Sequence, residues 1–285
     1  MSDNNPLKKF FRQPKIYIKL PSGGKFWPEG SIEMPENGEL PVFSMTAKDE
    51  IMIKTPDALL NGQSTVDIIQ SCMPNIKDAW KLPIIDLDTI LVAMRIASYG
   101  EKMDFASKTP VTGTEQSFAL DLRQILDGFI GQEFISTVEV NGMIIHLRPI
   151  SYKEFTDTAI KTFEEQRIFR VLNDEKISDG EKVRVFQESF RKLTEITVSN
   201  LEKSIESIEI DEEVVTNKKH IDEFVNNADK DLFRALTDHI DEQRKKFVAK
   251  PLTINSTPED IENGAPETFD VPLSFDSANF FGSGS

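Results

Sequence analysis

The chain has 285 residues and carries 33 basic against 48 acidic side chains, a net charge of −15. That balance works against binding a phosphate backbone, which needs basic stripes. A single cysteine, Cys72, rules out an internal disulfide and a cysteine-rich zinc site.

The lone thiol fits a reducing compartment, no apolar run approaches the length of a membrane span, and the N-terminus lacks the apolar core of a secretion signal. The length suffices for a sizeable core, while 39% hydrophobic and 28% charged residues fit a helical protein with much solvated surface. Charge is unevenly placed. Lys8, Lys9, Arg12, Lys15, Lys19 and Lys25 make the start basic, and no basic residue follows Lys250. The ends read as solvated tails or as charge-guided docking arms.

Residues 1 to 14 read as a basic arm. Lys15 to Leu20 alternates as a strand that Pro21 and the glycine pair end. Ser31 to Met34 and Leu40 to Phe43 flank Asn37-Gly38, a dipeptide whose tolerance of positive φ predicts a hairpin. Thr46 is placed to cap a helix, with Asp49 and Glu50 favouring its positive N-terminal end. Short helices are expected over Asp49 to Lys54, Pro56 to Leu60 and Ser64 to Cys72. Leu87 to Ser98 has a broad apolar face and Gly100 as its stop.

Phe118, Leu120 and Leu122 alternate with polar or small neighbours, predicting a strand. Phe134 to Val140 and Met143 to Pro149 flank Asn141-Gly142, a second hairpin signal. From Ser151 three amphipathic stripes follow: Phe155, Ala159, Phe163, Ile168 and Val171; Val183, Phe186, Phe190, Leu193, Thr197, Leu201, Ile205 and Ile208; and Leu232, Leu236, Ile240, Gln243 and Phe247. Each packs within the chain or against another protein. After Lys250 comes an acidic tail ending in Phe269, Val271, Leu273, Phe275, Phe280 and Phe281. Asp270 to Phe275 alternates like a strand that adds to a sheet edge, in this chain or on a partner.

Catalytic signatures are missing. Gly23-Gly24-Lys25 lacks P-loop spacing, and Phe26-Trp27-Pro28 cannot begin a helix there, so it reads as a turn. His220-Ile221-Asp222-Glu223 recurs as His239-Ile240-Asp241-Glu242. The order is the reverse of the Glu-x-x-His of bundle metal sites, so a solvated face is the simpler reading. Cys72 reads as a buried small side chain. No residue is assigned as catalytic, cofactor-binding or metal-binding.

Leu20-Pro21-Ser22-Gly23-Gly24-Lys25-Phe26-Trp27-Pro28, Met45-Thr46-Ala47-Lys48-Asp49-Glu50, Lys54-Thr55-Pro56-Asp57-Ala58-Leu59-Leu60-Asn61-Gly62 and Arg95-Ile96-Ala97-Ser98-Tyr99-Gly100 occur in that order. Together they resemble the baseplate hub assembly proteins of T4-type, contractile-tailed phages, most clearly over residues 15 to 150. Some relatives carry a Cys-x-x-Cys pair where this chain has Ala106-Ser107-Lys108-Thr109, so a metal-held knuckle is expected to be absent here or replaced by plain packing. The resemblance implies a non-enzymatic protein that chaperones or scaffolds a hub or tape-measure subunit, or else a permanent hub subunit. It implies other tail proteins as partners, with no cofactor, nucleic acid or membrane, in the host cytoplasm or the virion baseplate. A metal-dependent enzyme using the His-Ile-Asp-Glu segments is the weaker alternative.

The fold expected is α+β, a small N-terminal half with β-hairpins and short helices before a long-helix half and an extended acidic tail. The segments are 1–14, a flexible basic arm; 15–100, hairpin and short helices; 101–150, a small β element; 151–250, a helical domain; and 251–285, the acidic and aromatic tail. Phe269, Val271, Leu273, Phe275, Phe280 and Phe281 are the expected partner-binding residues.

Overall fold

The computed structural model describes residues 6–53, 62–171, 178–211, 213–273, 275, 280 and 281. Helix and strand are mixed along the chain, as in an α+β protein. β1 (Pro14–Ile18) pairs antiparallel with β2 (Leu40–Phe43), Ile18 opposite Leu40. α1 (Ala47–Ile53) opens at the expected Thr46 cap. The Thr46 hydroxyl accepts the Asp49 amide at 3.2 Å, and the Asp49 carboxylate accepts the Thr46 amide at 2.8 Å, a reciprocal capping box. α2 (Gln63–Cys72) and α3 (Leu87–Tyr99) follow, and α3 is buried almost all round from Leu87 to Ala97. Gly100, at φ 93, stops α3 in a conformation that costs glycine little.

β3 (Lys102–Lys108) and β4 (Glu115–Asp121) form a ribbon that leads into α4 (Leu122–Gly128). β5 (Thr137–Val140) and β6 (Met143–Leu147) turn over Asn141 and Gly142, at φ 51 and 77, as the dipeptide predicts. Two long helices come next, α5 (Tyr152–Val171) and α6 (Asp179–Ser204). β7 (Ile205–Ile210), β8 (Glu213–Val215), α7 (Lys218–Asn226) and α8 (Lys230–Lys246) complete the middle of the chain. β9 (Leu252–Asn255), α9 (Pro258–Glu262) and β10 (Thr268–Val271) close it.

The structure corrects the sequence expectations in several places. Gly38 does turn, its amide bonded to the Pro35 carbonyl, but no hairpin joins its two flanks. Leu40–Phe43 pairs with β1, and Ile32 bridges to Ile76. The β1–β2 pairing puts the fully buried Leu40 and Val42 on the core side, a larger apolar gain than a local turn could give. The second stripe is not one helix through Ile208. Helix α6 ends at Ser204, and Ile205–Ile210 becomes a strand between β6 and β8. Tertiary pairing overrides the helical period there. The β3 strand was not foreseen. The strand expected over Asp270–Phe275 lies earlier, at Thr268–Val271, where β10 pairs with β9 of the same chain, Phe269 opposite Ile254; Pro272 and Leu273 are outside it. The expected helix over Pro56 to Leu60 lies outside the described residues.

The chain divides into two compact units, one of residues 1–79, 86–132 and 247–285, the other of residues 80–85 and 133–246. In the first, Leu40, Val42, Ile69, Met73, Ile90 and Leu122 are fully buried, and each such side chain contributes about 2 kcal/mol by leaving water. The second contains a four-stranded antiparallel sheet in the order β5-β6-β7-β8. Its core joins Ile145 and Leu147 of the sheet to Leu201 of α6, Ile221 and Val225 of α7, and Leu232 and Leu236 of α8.

Candidate functional site

Three of the short motifs, around Ser22, Asp49 and Arg95, prove to be fasteners, and the Lys54 to Asn61 motif lies outside the described residues. Asp86, just before α3, is fully buried. Its carboxylate accepts the Ser22 amide at 2.8 Å, the Ser22 hydroxyl at 2.6 Å and the Trp27 indole N–H at 2.9 Å. Burial pushes its pKa up to about 6 against the pull of those donors. The Pro-Ser-Gly-Gly turn is therefore clamped to the start of a core helix. Gly24, at φ 84, passes so close to Met34 that a Cβ would sit 3.0 Å from its Cγ. Asp49 also accepts the Ser71 hydroxyl at 2.8 Å and lies 3.7 Å from Arg12. Arg12 in turn donates to the Ser44 and Ser71 carbonyls. The Arg-Ile-Ala-Ser-Tyr-Gly segment ends α3 with Arg95 buried, its guanidinium 5.0 Å from the Tyr99 ring and 5.5 Å from the Phe280 ring.

The segment Ala106 to Thr109 is not simply packed. Thr109 is buried and accepts the Gln116 side-chain amide at 2.8 Å. Asp260 of α9 accepts the Thr114 hydroxyl and its own cap hydroxyl, Thr257, both at 2.7 Å. Hydrogen bonds from Thr114, Thr112 and Thr257 hold the Asp260 carboxyl at a pKa of about 2. This network ties the β3–β4 turn to the C-terminal segment.

Exposed aromatic residues occur in both units, Phe10, Phe11 and Tyr17 in the first and Phe155, Phe163, Phe186 and Phe190 on two long helices of the second. The α5 helix opens on a capping box in which Glu154 accepts the Ser151 amide at 2.8 Å and the Ser151 hydroxyl at 2.9 Å. Arg148 grips the same carboxylate at 2.7 and 3.0 Å. Burial raises the Glu154 pKa, but Arg148 and Ser151 outweigh it and hold it at about 2. Ser178 caps α6, a helix of 26 residues and so about 39 Å long. The two helices meet through small and polar groups, Thr158 with Asn200 at 2.8 Å, and Glu165 with Ser189 at 2.9 Å and Lys192 at 3.3 Å.

That choice of contacts decides where the phenylalanines go. With about 100° of rotation per residue, Phe155, Ala159 and Phe163 of α5 fall on the same side as Val183, Phe186 and Phe190 of α6. Phe163, Val183 and Phe190 are 50%, 56% and 62% exposed. Phe186 and Phe190 stack on each other at 6.4 Å. Near the sheet the same side opens into a cavity of about 310 Å³ that Phe155, Thr197, Leu201, Ile240 and Pro149 help to line. A separate recess of about 300 Å³, lined by Lys161, Glu164, Glu165, Lys192 and Glu195, marks the opposite, charged side.

Residues 13–257 match the sequence profile of the family described as T4 bacteriophage base plate protein. The chain belongs to that family. No match was found among curated proteins or among solved structures. The baseplate protein therefore takes a tail-related role, and other phage tail proteins are its natural partners.

The sequence-derived partner residues of the baseplate protein fall into two groups. Phe275, Phe280 and Phe281 are buried, with Phe280 4.9 Å from each of the other two rings. Phe269, Val271 and Leu273 are half-buried. Cys72 is buried as expected, and burial pushes its thiol up to about 12. The His-Ile-Asp-Glu segments take separate places. His239 Nε2 lies 2.9 Å from the Ile135 carbonyl, and Gln243, one turn on, accepts the Ile135 amide at 2.9 Å. His220 is exposed on α7. His146, on β6, lies 3.6 Å from Glu209 across the sheet. Among the described residues no group of three or more metal-type side chains converges, and no helix is long and apolar enough to cross a membrane. The open stripe of α5 and α6 was visible in the sequence as an apolar period. What hid its role is that only the packing shows which stripe stays uncovered.

Proposed function

We propose that this baseplate protein acts without catalysis in forming the baseplate hub, chaperoning or scaffolding a hub or tape-measure subunit in the host cytoplasm. The observation that carries this reading is the aromatic side of α5 and α6. Phe163, Phe186 and Phe190 are exposed together on this side, in addition to the separately exposed Phe10, Phe11 and Tyr17 of the first unit. Rows of exposed large apolar side chains mark surfaces made for another protein. The half-buried Phe269, Val271 and Leu273 offer a second contact.

A permanent place in the baseplate is the other reading, favoured by the family description itself. Quantitative mass spectrometry of purified virions beside infected-cell lysate separates the two. Abundance in lysate with loss from virions is the result a departing chaperone gives. Stoichiometric copies in the particle would make the protein a hub subunit and end the chaperone reading.

A further inference from the structure

The first unit carries two surfaces of opposite charge, one from each end of the chain. Between Pro6 and Leu20 the sequence has five cations and no acid. Arg12 is turned inward, 3.7 Å from Asp49 and bonded to the Ser71 hydroxyl at 2.9 Å, which anchors the segment at its middle. Lys19 lies 4.0 Å from Glu39. Lys8, Lys9 and Lys15 are exposed, and among the described residues no carboxylate pairs with them. Lys9 lies 5.0 Å from the ring of its neighbour Phe10. Phe10, Phe11 and Tyr17 are 74%, 55% and 57% exposed. Alternation along β1 puts Lys15 and Tyr17 on the same outward side. Ammonium groups without a counter-charge thus stand among open aromatic rings.

The other end has the complementary chemistry. Residues 251–273 contain five acids and no cation. Asp260 is engaged by Thr114 and Thr257. Glu259, Glu262, Glu267 and Asp270 are exposed, and among the described residues no cation pairs with them. Ile261 is exposed beside them. The bonds of Asp260 and the pairing of β9 with β10 fix this segment in place. We infer that the basic, aromatic surface of one copy docks on the acidic segment of a second copy, so that the protein self-associates head to tail. The inference goes beyond the tail-assembly reading and does not depend on it.

Charge decides between the possible pairings. Two chains of net charge −15 repel one another at long range, but at about 0.15 M salt that repulsion is screened beyond roughly 8 Å. Groups in contact then set the outcome. Head-to-tail contact puts Lys8, Lys9 and Lys15 against Glu259, Glu262 and Glu267 and covers the aromatic rings. Basic surface against basic, or acidic against acidic, has the wrong sign. Two copies that exchange the contact close as a dimer with both pairings made, and copies that cannot exchange it continue into a ring or filament. Nucleic acid would meet the same lysines, but the excess negative charge of the chain opposes it.

The test is sedimentation equilibrium of the full chain at physiological salt, on the parent and three variants. One carries Lys8→Glu, Lys9→Glu and Lys15→Glu. A second carries Glu259→Lys, Glu262→Lys and Glu267→Lys, and a third carries all of these changes. Every substituted position is exposed, and an unchanged melting temperature confirms each fold. The parent should associate, and each of the first two variants should do so about ten-fold more weakly or worse, a difference of about 1.4 kcal/mol. The third, complementary again, should recover association, as should an equimolar mixture of the first two. A parent that stays monomeric, association that survives either reversal, or no recovery in the third variant would overturn the inference. Carbodiimide cross-linking of the unaltered protein, mixed from light and isotope-labelled copies, gives an independent reading. It should join Lys8, Lys9 or Lys15 of one copy to Glu259, Glu262 or Glu267 of the other. Bonds formed only within one copy would overturn the contact, because each chain would then cover its own acidic segment. A monomeric parent that retains DNA or RNA, and loses it in the first variant, would assign the basic surface to nucleic acid instead.

Discussion

The first unit and the α5–α6 pair use their polar and apolar residues in opposite ways. In the first unit polar groups go inward. Asp86, Asp49, Arg95 and Asp260 are all buried, and each is held by donors or rings from distant parts of the sequence. In α5 and α6 the polar groups make the helix–helix contact and the phenylalanines face out. Buried polar groups fix one arrangement and are costly to disturb. Exposed apolar ones do little for the isolated fold and are available to a partner. The described motifs that look most like signatures, around Ser22, Asp49 and Arg95, are structural fasteners, while the aromatic side proposed to meet a partner looks in sequence like ordinary helix core.

The contrast is most easily broken at Asp86. Asp86→Ala leaves the Ser22 amide and Trp27 indole N–H buried without their acceptor and should cost about 3 kcal/mol in thermal or urea unfolding. A loss below about 1 kcal/mol would mean the turn is not clamped there. Phe280→Ala should cost a comparable amount, about 3 kcal/mol, by opening a cavity beside Arg95. A soluble, unshifted variant would show that the C-terminal ring is not part of the first unit's core.

Asp86 also gives a pH signature. Its folded pKa, about 6, lies above the ordinary value of 3.8, so the folded state holds the proton more tightly between them. The contribution of this group to stability is complete below 3.8 and is lost as pH rises through about 6. Asp86→Asn cannot ionise. Relative to the parent chain it should therefore gain on the order of 2–3 kcal/mol between pH 4 and pH 7, beyond a constant offset from its altered hydrogen bonds. Parallel pH profiles of the two melting temperatures would contradict the burial of a titrating carboxyl. Glu154 works in the other direction. Its pKa is depressed to about 2, so its contribution is present above the ordinary carboxyl range and disappears as pH falls through about 2. Glu154→Gln should lose about 1 kcal/mol at pH 7, since the pair is partly solvated.

Local signals were legible where a short-range rule decides the outcome. Asn141-Gly142 turned the β5–β6 hairpin because both residues sit at positive φ. Thr46 capped α1, and α2 and α3 fell where their apolar periods put them. The same dipeptide rule failed at Asn37-Gly38, because the partner of β2 lies across the intervening loop and a pairing so far apart in sequence has no local sign. Ile205 and Ile208 fit a helical step and a strand equally well. The alternation Ile208-Glu209-Ile210 was the discriminating sign, followed by the β-branched Val214-Val215 of β8. Asp86 reads in sequence as one more acid at a helix start, and nothing local shows that Ser22 and Trp27 will reach it. The phenylalanine stripe was plain, but which stripes are covered depends on packing between Thr158, Glu165, Ser189 and Asn200 that pattern alone does not encode.

The central claim is that the outward phenylalanines serve a partner and not the fold. Its most direct test is Phe186→Ser combined with Phe190→Ser, with melting temperature and yield of infectious particles measured on the same variant. The account predicts stability within about 0.5 kcal/mol of the parent chain, as for surface substitutions, and a collapse in particle yield. A large fall in melting temperature, with yield falling only in proportion, would place these rings in the core and contradict it.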